Sequence, residues 1–208
     1  NVSFASASFA GRRRVSSFAD VFYLTNTGKG EGWGTTFSLT RPVKKGWGWS
    51  VSWTHGKATE VSPITSSTAS SNYSFRASFN PNENVASISN TSIPDRIVAQ
   101  ITKEFNFIKN AQTRVSVVYQ GRSGHPYSWV FGGDANGDGY TFNDLLYVPT
   151  GVDDPKVSWA STAERDAFFA FVDSSSLSKY KGTHAPRNSE TSPWLNTIDL
   201  KFTQAIPL

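Results

Sequence analysis

A two-residue alternation between large apolar and small polar side chains is the feature that most constrains how this chain can fold. It runs through GWGTTFSLTR, residues 32–41, and again through WGWSVSWTHGK, residues 47–57. This period predicts β-strands, because successive side chains of a strand point to opposite faces. The intervening PVKKG contains Pro42 and Gly46, two residue types that favour turns. The sequence therefore predicts a β-hairpin.

The two faces of this hairpin differ in chemistry. One is large and aromatic, whereas the other consists of glycine, serine and threonine. A soluble sandwich usually carries charge on its outward face, but a membrane barrel turns apolar side chains to lipid and small polar ones to a wet lumen. The pattern favours the membrane barrel. The residues predicted to face the membrane, here and in later strands, are Trp33, Phe37, Leu39, Trp47, Trp49, Val51, Trp53, Ile97, Ile101, Val115, Val117, Ile198, Leu200 and Phe202.

Similar alternation predicts strands over residues 97–103, 113–120 and 197–208, with FNFIKNA as a short connection after the first of these. Two weaker segments, residues 1–11 and 18–25, bring the total to about seven strands. The predicted fold is all-β, an antiparallel transmembrane β-barrel portion. Since single-chain bacterial barrels have even strand numbers, and lipid leaves an open edge unsatisfied, we expect residues 1–208 to be part of one larger barrel domain.

Two long connections, residues 59–93 and 122–196, lack sustained alternation. Such loops are uncommon in compact soluble domains, but outer-membrane barrels have long extracellular loops opposite short turns. We therefore predict two extracellular loops. In the second, Ser161 and Glu164 form a capping box before an apolar run, which predicts a short helix and hence a folded loop.

Composition argues against several functional classes. The net charge is +4, and no run of Lys and Arg alternates with aromatics, so nucleic-acid binding is not expected. Cysteine is absent, which removes thiolate chemistry and disulfides. His55, His125 and His184 lack the spacing of a zinc site or a catalytic base, and no G-x-S-x-G is present. We therefore predict that the chain is not an enzyme. The absence of methionine, including an initiator, favours an excised piece of a longer protein.

The segment FGGDANGDGYTFNDLLYVP, residues 131–149, contains D-x-N-x-D-G, the spacing of hard oxygen ligands in calcium loops. The twelfth position of such a loop should be an acid, yet it is Leu145, with an aspartate one place earlier. Tight turns made by Asp-Gly and Asn-Gly are the alternative interpretation. No cofactor is required by the sequence, and Ca²⁺ is an optional one. Its candidate ligands are Asp134, Asn136, Asp138, Tyr140 through its carbonyl, and Asp144.

Three alternating aromatic residues beside this loop are candidates for binding a sugar or peptide: Tyr127, Trp129 and Phe131. Aromatics of this kind more often form a local core that holds a long loop together, and that interpretation is favoured. Trp194 follows Pro193 just before the last strand, and we expect it at the membrane interface.

Five segments carry a resemblance to a known family: ADVFYLTNTGKG, EVSPITSSTASSNY, ASFNPNENVA, YQGRSGHPYSWVFGGDANGDGYTFNDLLYVP and RNSETSPWLNTIDLKFTQAIP. Together, from about Ala19 to Pro207, they resemble the C-terminal half of the barrel of Oar-like TonB-dependent outer-membrane receptors. The resemblance implies a barrel of about 22 strands with a plugged lumen. It also implies a bacterial outer-membrane location, uptake of ligand captured by extracellular loops, and coupling to the TonB energy system. The partners it implies are lipid, the rest of the barrel and a plug domain outside this chain.

Two other classes stay open. One is a secreted or surface β-sandwich that binds carbohydrate or protein with a calcium-ordered loop. The other is a small structural barrel acting as an adhesin, which the odd number of strands disfavours.

Overall fold

Five long strands and a few short elements make up the regular structure in a computed structural model, which describes residues 21–109 and 111–206. In chain order the elements are β1 Gly32–Lys44, β2 Trp47–Glu60, α1 Ala69–Ser74, β3 Ser87–Ile88, β4 Asp95–Ile108, β5 Ala111–Arg122, β6 Pro126–Tyr127, α2 Thr162–Ser174, a 3₁₀ helix Ser176–Tyr180, β7 Glu190–Thr191 and β8 Leu195–Gln204. Within the described residues, no helix has the length and apolar character to cross a membrane.

The long strands form one antiparallel sheet in which each lies beside the next, in the order β1, β2, β4, β5 and β8. The short strand β3 pairs with the end of β2, and β6 pairs with β7. Each long strand corresponds to a segment whose alternation predicts one. The antiparallel, mostly β fold with few helices is confirmed.

The turn between β1 and β2 is tighter than the sequence suggests. Only Lys45 and Gly46 connect the strands, with φ of 55° and 76°. Two positive φ values are the requirement of a type I′ turn, the two-residue connection that matches strand twist. The prediction that Pro42 belongs to the turn is wrong, because Pro42 lies within β1, at an irregularity between Arg41 and Lys44. A bulge accommodates a residue that has no N–H to donate.

Several predicted strand limits also change. β4 continues to Ile108, through most of the segment expected to be a connection, with a register shift after Phe105. β8 ends at Gln204, and residues 205 and 206 follow it outside the strand, although Ala205 N still donates to Gln112 O at 2.9 Å. Residues 207 and 208 of the predicted strand lie outside the described residues. Pairing with β5 thus sets the end of β8.

The two weaker strand predictions have different outcomes. Residues 1–11 and 18–20 lie outside the described residues. Residues 21–25 are described and form no strand. Alternation over such a short stretch does not make a strand unless a neighbouring strand pairs with it.

The chain divides into two compact units. Of the described residues, the sheet unit comprises 32–58, 91–109, 111–125 and 191–206, and the loop unit comprises 21–31, 59–90 and 126–190. The loop unit therefore contains most of both predicted extracellular loops. It has its own core of fully buried apolar side chains, formed by Val148, Val172, Leu177 and Ala185. The prediction that the second loop is folded is confirmed.

The helix predicted in that loop is α2. It begins after Ser161, whose Oγ accepts a hydrogen bond from the Glu164 N–H at 3.2 Å. This contact satisfies one of the amide groups that a helix start leaves without an intrahelical partner. α2 then buries Val172 in the core, with Phe168 packed beside it.

Candidate functional site

One face of the sheet unit collects the large apolar side chains. The pairing registers place alternate residues of all five strands on this face, which we call the apolar face. A row across its middle consists of Leu39, Val51, Ala99, Tyr119 and Ile198. The next row contains Trp49, Ile101, Val117 and Leu200. The sheet therefore joins the residues predicted to face the membrane into one surface.

This apolar face is open. Most of its large side chains keep between 37% and 74% of their surface exposed: Trp33, Phe37, Leu39, Trp47, Trp49, Val51, Trp53, Ile101, Ile198, Leu200 and Phe202. Ile97, Val115 and Val117 are partly buried between their neighbours. Monomeric soluble proteins rarely expose a contiguous apolar surface of this extent, because water solvates it poorly. A lipid or protein environment is needed to cover it.

One margin of the apolar face is polar and aromatic. His55 lies opposite Asp95, with 2.9 Å between His55 Nδ1 and Asp95 Oδ1. Trp53 donates from its indole nitrogen to the same Asp95 oxygen at 3.1 Å. Along this margin, Trp194 donates to Asn196 Oδ1 at 3.0 Å. Side chains with an apolar ring and a polar tip suit a boundary between lipid and water.

The opposite margin has the same character. Lys103 lies beside Trp47 in the sheet, and its ammonium nitrogen is 4.5 Å from the centre of the Trp47 ring. From Asp95 to Lys103 the strand β4 advances eight residues, or about 26 Å at roughly 3.3 Å per residue. A tilted transmembrane β-strand needs about 9 to 11 residues, so the interval between the two polar margins matches a bilayer crossing.

The other face of the sheet is small and polar. Thr102 Oγ1 and Ser116 Oγ share a hydrogen bond of 2.9 Å, and Arg114 forms an ion pair with Glu104 at 2.5 Å. Near one end, Gly34 and Gly56 lie directly opposite each other. The Arg114–Glu104 ion pair therefore lies on the face away from the apolar residues, whereas Asp95 and Lys103 lie at the margins of the apolar face.

In the loop unit, the D-x-N-x-D-G segment forms a tight loop around its own acidic side chains. Asp134 accepts backbone hydrogen bonds from Gly137 at 2.7 Å, Asp138 at 3.0 Å and Gly139 at 2.9 Å. Asp138 Oδ1 accepts from the Tyr140 N–H at 2.9 Å. Gly139 has φ of 91°, which an L side chain would strain.

Asp144 returns to the beginning of this loop. Its Oδ2 accepts from the N–H groups of Ala135 at 2.5 Å and Asn136 at 3.2 Å. The side chain is 1% exposed, and its other oxygen, Oδ1, has no hydrogen-bond partner. Burial, followed by the charges of Asp138 and Asp134, raises the pKa of Asp144. Asp144, which precedes the expected acidic position of the calcium-loop pattern by one residue, thus contacts the beginning of the loop.

The candidate metal ligands are neighbours along one loop, but they do not form a preformed acidic centre. Within the described residues, no group of three or more His, Cys, Asp or Glu side chains is arranged to hold a metal ion. Two of the candidate groups, the Asn136 amide and the Tyr140 carbonyl, are outside those residue types. The metal assignment stays a prediction.

The candidate ligand-binding aromatics occupy different environments. Trp129 packs against the core of the loop unit and meets the Phe171 ring edge to face, with 5.4 Å between centroids. Tyr127 meets Trp129 at 5.8 Å and stays 41% exposed, whereas Phe131 is half-buried. Trp129 therefore contributes to a local core, and a stacking role for the set stays a prediction.

A cavity of about 150 Å³ in the loop unit has two arginines in its lining, Arg76 and Arg187. Arg187 is 5% exposed and donates to the main-chain carbonyls of Val61, at 2.8 Å, and Glu60. Burial and the nearby charge of Arg76 lower the pKa of Arg187. Neither arginine has an ion pair with a described residue. Through these two hydrogen bonds Arg187 holds residues 60 and 61, at the start of the first long connection, against residues 187–188 of the second.

Sequence reasoning missed the contacts of Asp95 and Arg187. The His55–Asp95 pair joins residues 40 positions apart, and the Arg187–Val61 bond joins residues 126 apart. No local spacing could indicate either contact, because each depends on tertiary pairing.

Comparisons with protein-family models, with curated proteins and with solved structures yield no match for this chain.

Proposed function

We propose that the chain is part of the wall of a TonB-dependent receptor in the bacterial outer membrane and takes part in the energised uptake of a ligand. The observation that carries this proposal is the open apolar face, bounded by polar and aromatic margins at the separation of a bilayer crossing. In this proposal lipid covers the apolar face, and the polar face lines the lumen.

The connections support the same proposal. A two-residue turn follows β1, and β4 is joined to β5 by an equally short one, whereas long connections follow β2 and β5. Alternating short turns and long loops are typical of outer-membrane barrels, in which the long loops are extracellular. The loop unit then contributes to ligand capture. Its own buried core supports a preformed binding surface.

The sheet needs further partners in this proposal. Within the described residues, β1 and β8 each pair with one long strand only. An unpaired strand edge is costly in lipid, because its N–H and C=O groups find no water. In the proposal, strands from the rest of the barrel pair with the free edges of β1 and β8, and a plug domain contacts the polar face. The TonB energy-coupling system and the plug are proposed from the family resemblance alone.

A secreted β-sandwich is the main competing class. A sandwich buries its apolar face against a second sheet, with about 10 Å between the two. The described part of the chain covers its apolar face with no such sheet, as the exposed tryptophans show. Another molecule would have to provide it.

The native protein decides between these classes. We expect an intact mass well above the 22.8 kDa of this chain, recovery in the outer-membrane fraction and extraction only by detergent. A native monomer of this chain that is soluble without detergent would refute the proposal and favour the sandwich.

A further inference from the structure

The loop from Asp134 to Asp144 carries three aspartates without a described counter-charge. It contains Asp134, Asp138 and Asp144, and no described Lys, Arg or His forms an ion pair with them. Asp134 and Asp138 use carboxylate oxygens to accept backbone N–H groups. Each carboxylate oxygen can accept more than one bond, so these contacts orient the acids without using all their capacity.

A second observation points to a missing positive partner. Asp144 is 1% exposed, and its Oδ1 has no hydrogen-bond partner although Oδ2 has two. The hydrogen bonds to Ala135 and Asn136 direct this carboxylate into the loop. Beside it, Asn143 is 2% exposed with no partner for either side-chain polar atom. Buried polar groups normally have hydrogen-bond partners. A buried carboxylate oxygen without a partner lowers the free energy of unfolding, because it has lost its hydration and gained nothing in return.

The types of oxygen present select the ligand. Carboxylate, amide and main-chain carbonyl oxygens are hard donors, which suit Ca²⁺ and Mg²⁺ and not softer metals. Ca²⁺ accepts six to eight such oxygens in flexible geometry, whereas Mg²⁺ demands a nearly ideal octahedron. An irregular loop with its acid one position early therefore fits Ca²⁺ better.

We propose that this loop binds Ca²⁺ through Asp134, Asn136, Asp138, the Tyr140 carbonyl and Asp144. The calcium site does not depend on the proposed membrane location, because none of the residues that carry it lies on the apolar face of the sheet unit.

The same residues tie the loop to a distant segment of the loop unit. Asn136 donates from Nδ2 to the Phe79 carbonyl at 3.0 Å, and Asp144 forms a β-bridge with Ser78. Ca²⁺ held by Asn136 and Asp144 therefore stiffens the contact between residues 78–80 and the D-x-N-x-D-G loop. In a receptor, this would order part of the ligand entrance.

Terbium luminescence provides the test. Tb³⁺ replaces Ca²⁺ at oxygen sites and is excited by nearby tyrosines; here Tyr140 is a proposed ligand, and the Tyr73 ring lies 6.0 Å from it. We expect saturable Tb³⁺ emission that Ca²⁺ displaces, with a Kd for Ca²⁺ of about 10⁻⁴ to 10⁻³ M, the range of extracellular modules. Mg²⁺ should displace it at least about tenfold less effectively.

Matched variants separate the site from general surface charge. Asp138→Asn keeps an oxygen for the Tyr140 N–H, and Asp134→Asn keeps one for the Gly137 and Asp138 N–H groups but loses the acceptor of the Gly139 N–H. Both variants remove a negative charge, so both should weaken Ca²⁺ binding at least about tenfold. Asp153→Asn removes an exposed acid elsewhere in the loop unit and should leave binding unchanged. Far-ultraviolet circular dichroism without calcium establishes that each variant is folded.

The proposal is overturned by absence of Ca²⁺-displaceable emission from the folded wild-type chain. Equal emission from Asp138→Asn and wild type would overturn it too, as would equal displacement by Mg²⁺ and Ca²⁺. None of these outcomes bears on whether the apolar face contacts lipid.

Discussion

Arg187 donates from a nearly buried guanidinium to two main-chain carbonyls, those of Glu60 and Val61. A hydrogen bond to a charged donor contributes about 1.5 to 3 kcal/mol, and a buried carbonyl left without a donor costs a similar amount. Arg187 is therefore one of the groups that hold the start of the first long connection, together with Arg76, which also donates to the Val61 carbonyl, and the pairing of β3 with β2.

Arg187→Ala should destabilise the loop unit by about 2 to 4 kcal/mol, because it leaves both carbonyls without this donor. Hydrogen exchange of residues 59–64 should accelerate accordingly. Lys179→Ala, an exposed cation in the same unit, is the control and should change exchange little. Unchanged protection in Arg187→Ala would show that Arg187 does not hold this connection.

Asp154 makes the stability of its turn depend on pH. The N–H groups of Thr150 and Lys156 bond to its carboxylate and lower the pKa of Asp154 from 3.8 to about 2. A carboxyl with a depressed folded pKa stabilises the turn fully above the unfolded value, and this contribution is lost as pH falls through the folded value. The loss therefore takes place between about pH 4 and pH 2.

We expect the Thr150 amide to stay protected at pH 4 and to lose protection toward pH 2. Asp154→Asn should remove this pH-dependent step, and Asp153→Asn should keep it. The effect of His184 can be told apart from that of Asp154. Burial and then the charge of Lys156 lower the pKa of His184 from 6.5. The unfolded chain therefore binds this proton first, and the loss of stability that His184 causes begins near pH 6.5, well above the transition of Asp154. A Thr150 transition near pH 6 would contradict the assignment to Asp154.

For single residues, the sequence predicts the local part of the proposed calcium site but not its tertiary part. The spacing of Asp134, Asn136 and Asp138 is local, so the sequence predicts it directly. The return of Asp144 to Ala135 and Asn136 depends on a turn nine residues long with φ of 62° at Phe142, which no pattern of residue types specifies. The tertiary partner of the loop, Phe79, is invisible to a local motif.

At the scale of elements, alternation predicts the long strands but not their ends. A strand continues as far as its neighbour pairs with it, so β4 and β8 end where the sheet registers place them. The helix α2 was predictable because Ser161 caps it locally. The helix α1 was not, since its N-cap Thr68 makes no side-chain cap bond and none of its residues is buried.

The pairing of β1 with β2 requires glycine at position 56. A Cβ at Gly56 would lie 2.6 Å from the Trp33 carbonyl oxygen and 3.1 Å from the Gly34 Cα. Both are backbone atoms of the adjacent strand, which cannot move aside as a side-chain tip can. The hairpin therefore depends on a close backbone approach.

Gly56→Ala should weaken this pairing by about 1 to 3 kcal/mol, the usual cost of overpacking, and speed hydrogen exchange in residues 33–36. Gly151→Ala is a matched control, because a Cβ there meets no atom within 4 Å. Equal exchange in the two variants would mean that the strands tolerate the added methyl group.

For the whole molecule, the proposed function depends on what covers the apolar face. The alternation of residues predicts which side chains share that face, and the sheet registers confirm the sharing. The covering material could not be predicted from the same pattern, since lipid and a second protein layer both favour large apolar side chains. The proposal of lipid rests on the tryptophan-rich margins and on the length of the band between them.

Paired cysteine labels test lipid contact most directly, because the chain has no cysteine of its own. Val51 and Ile198 lie on the apolar face, and each has a neighbour on the opposite face, Ser52 and Thr197. In the native membrane, fluorophores at positions 51 and 198 should be quenched by nitroxide lipids at least about threefold more than those at 52 and 197. If neither lipid-borne nor aqueous quenchers reach the labels at positions 51 and 198, protein covers the apolar face and the proposed membrane location is wrong.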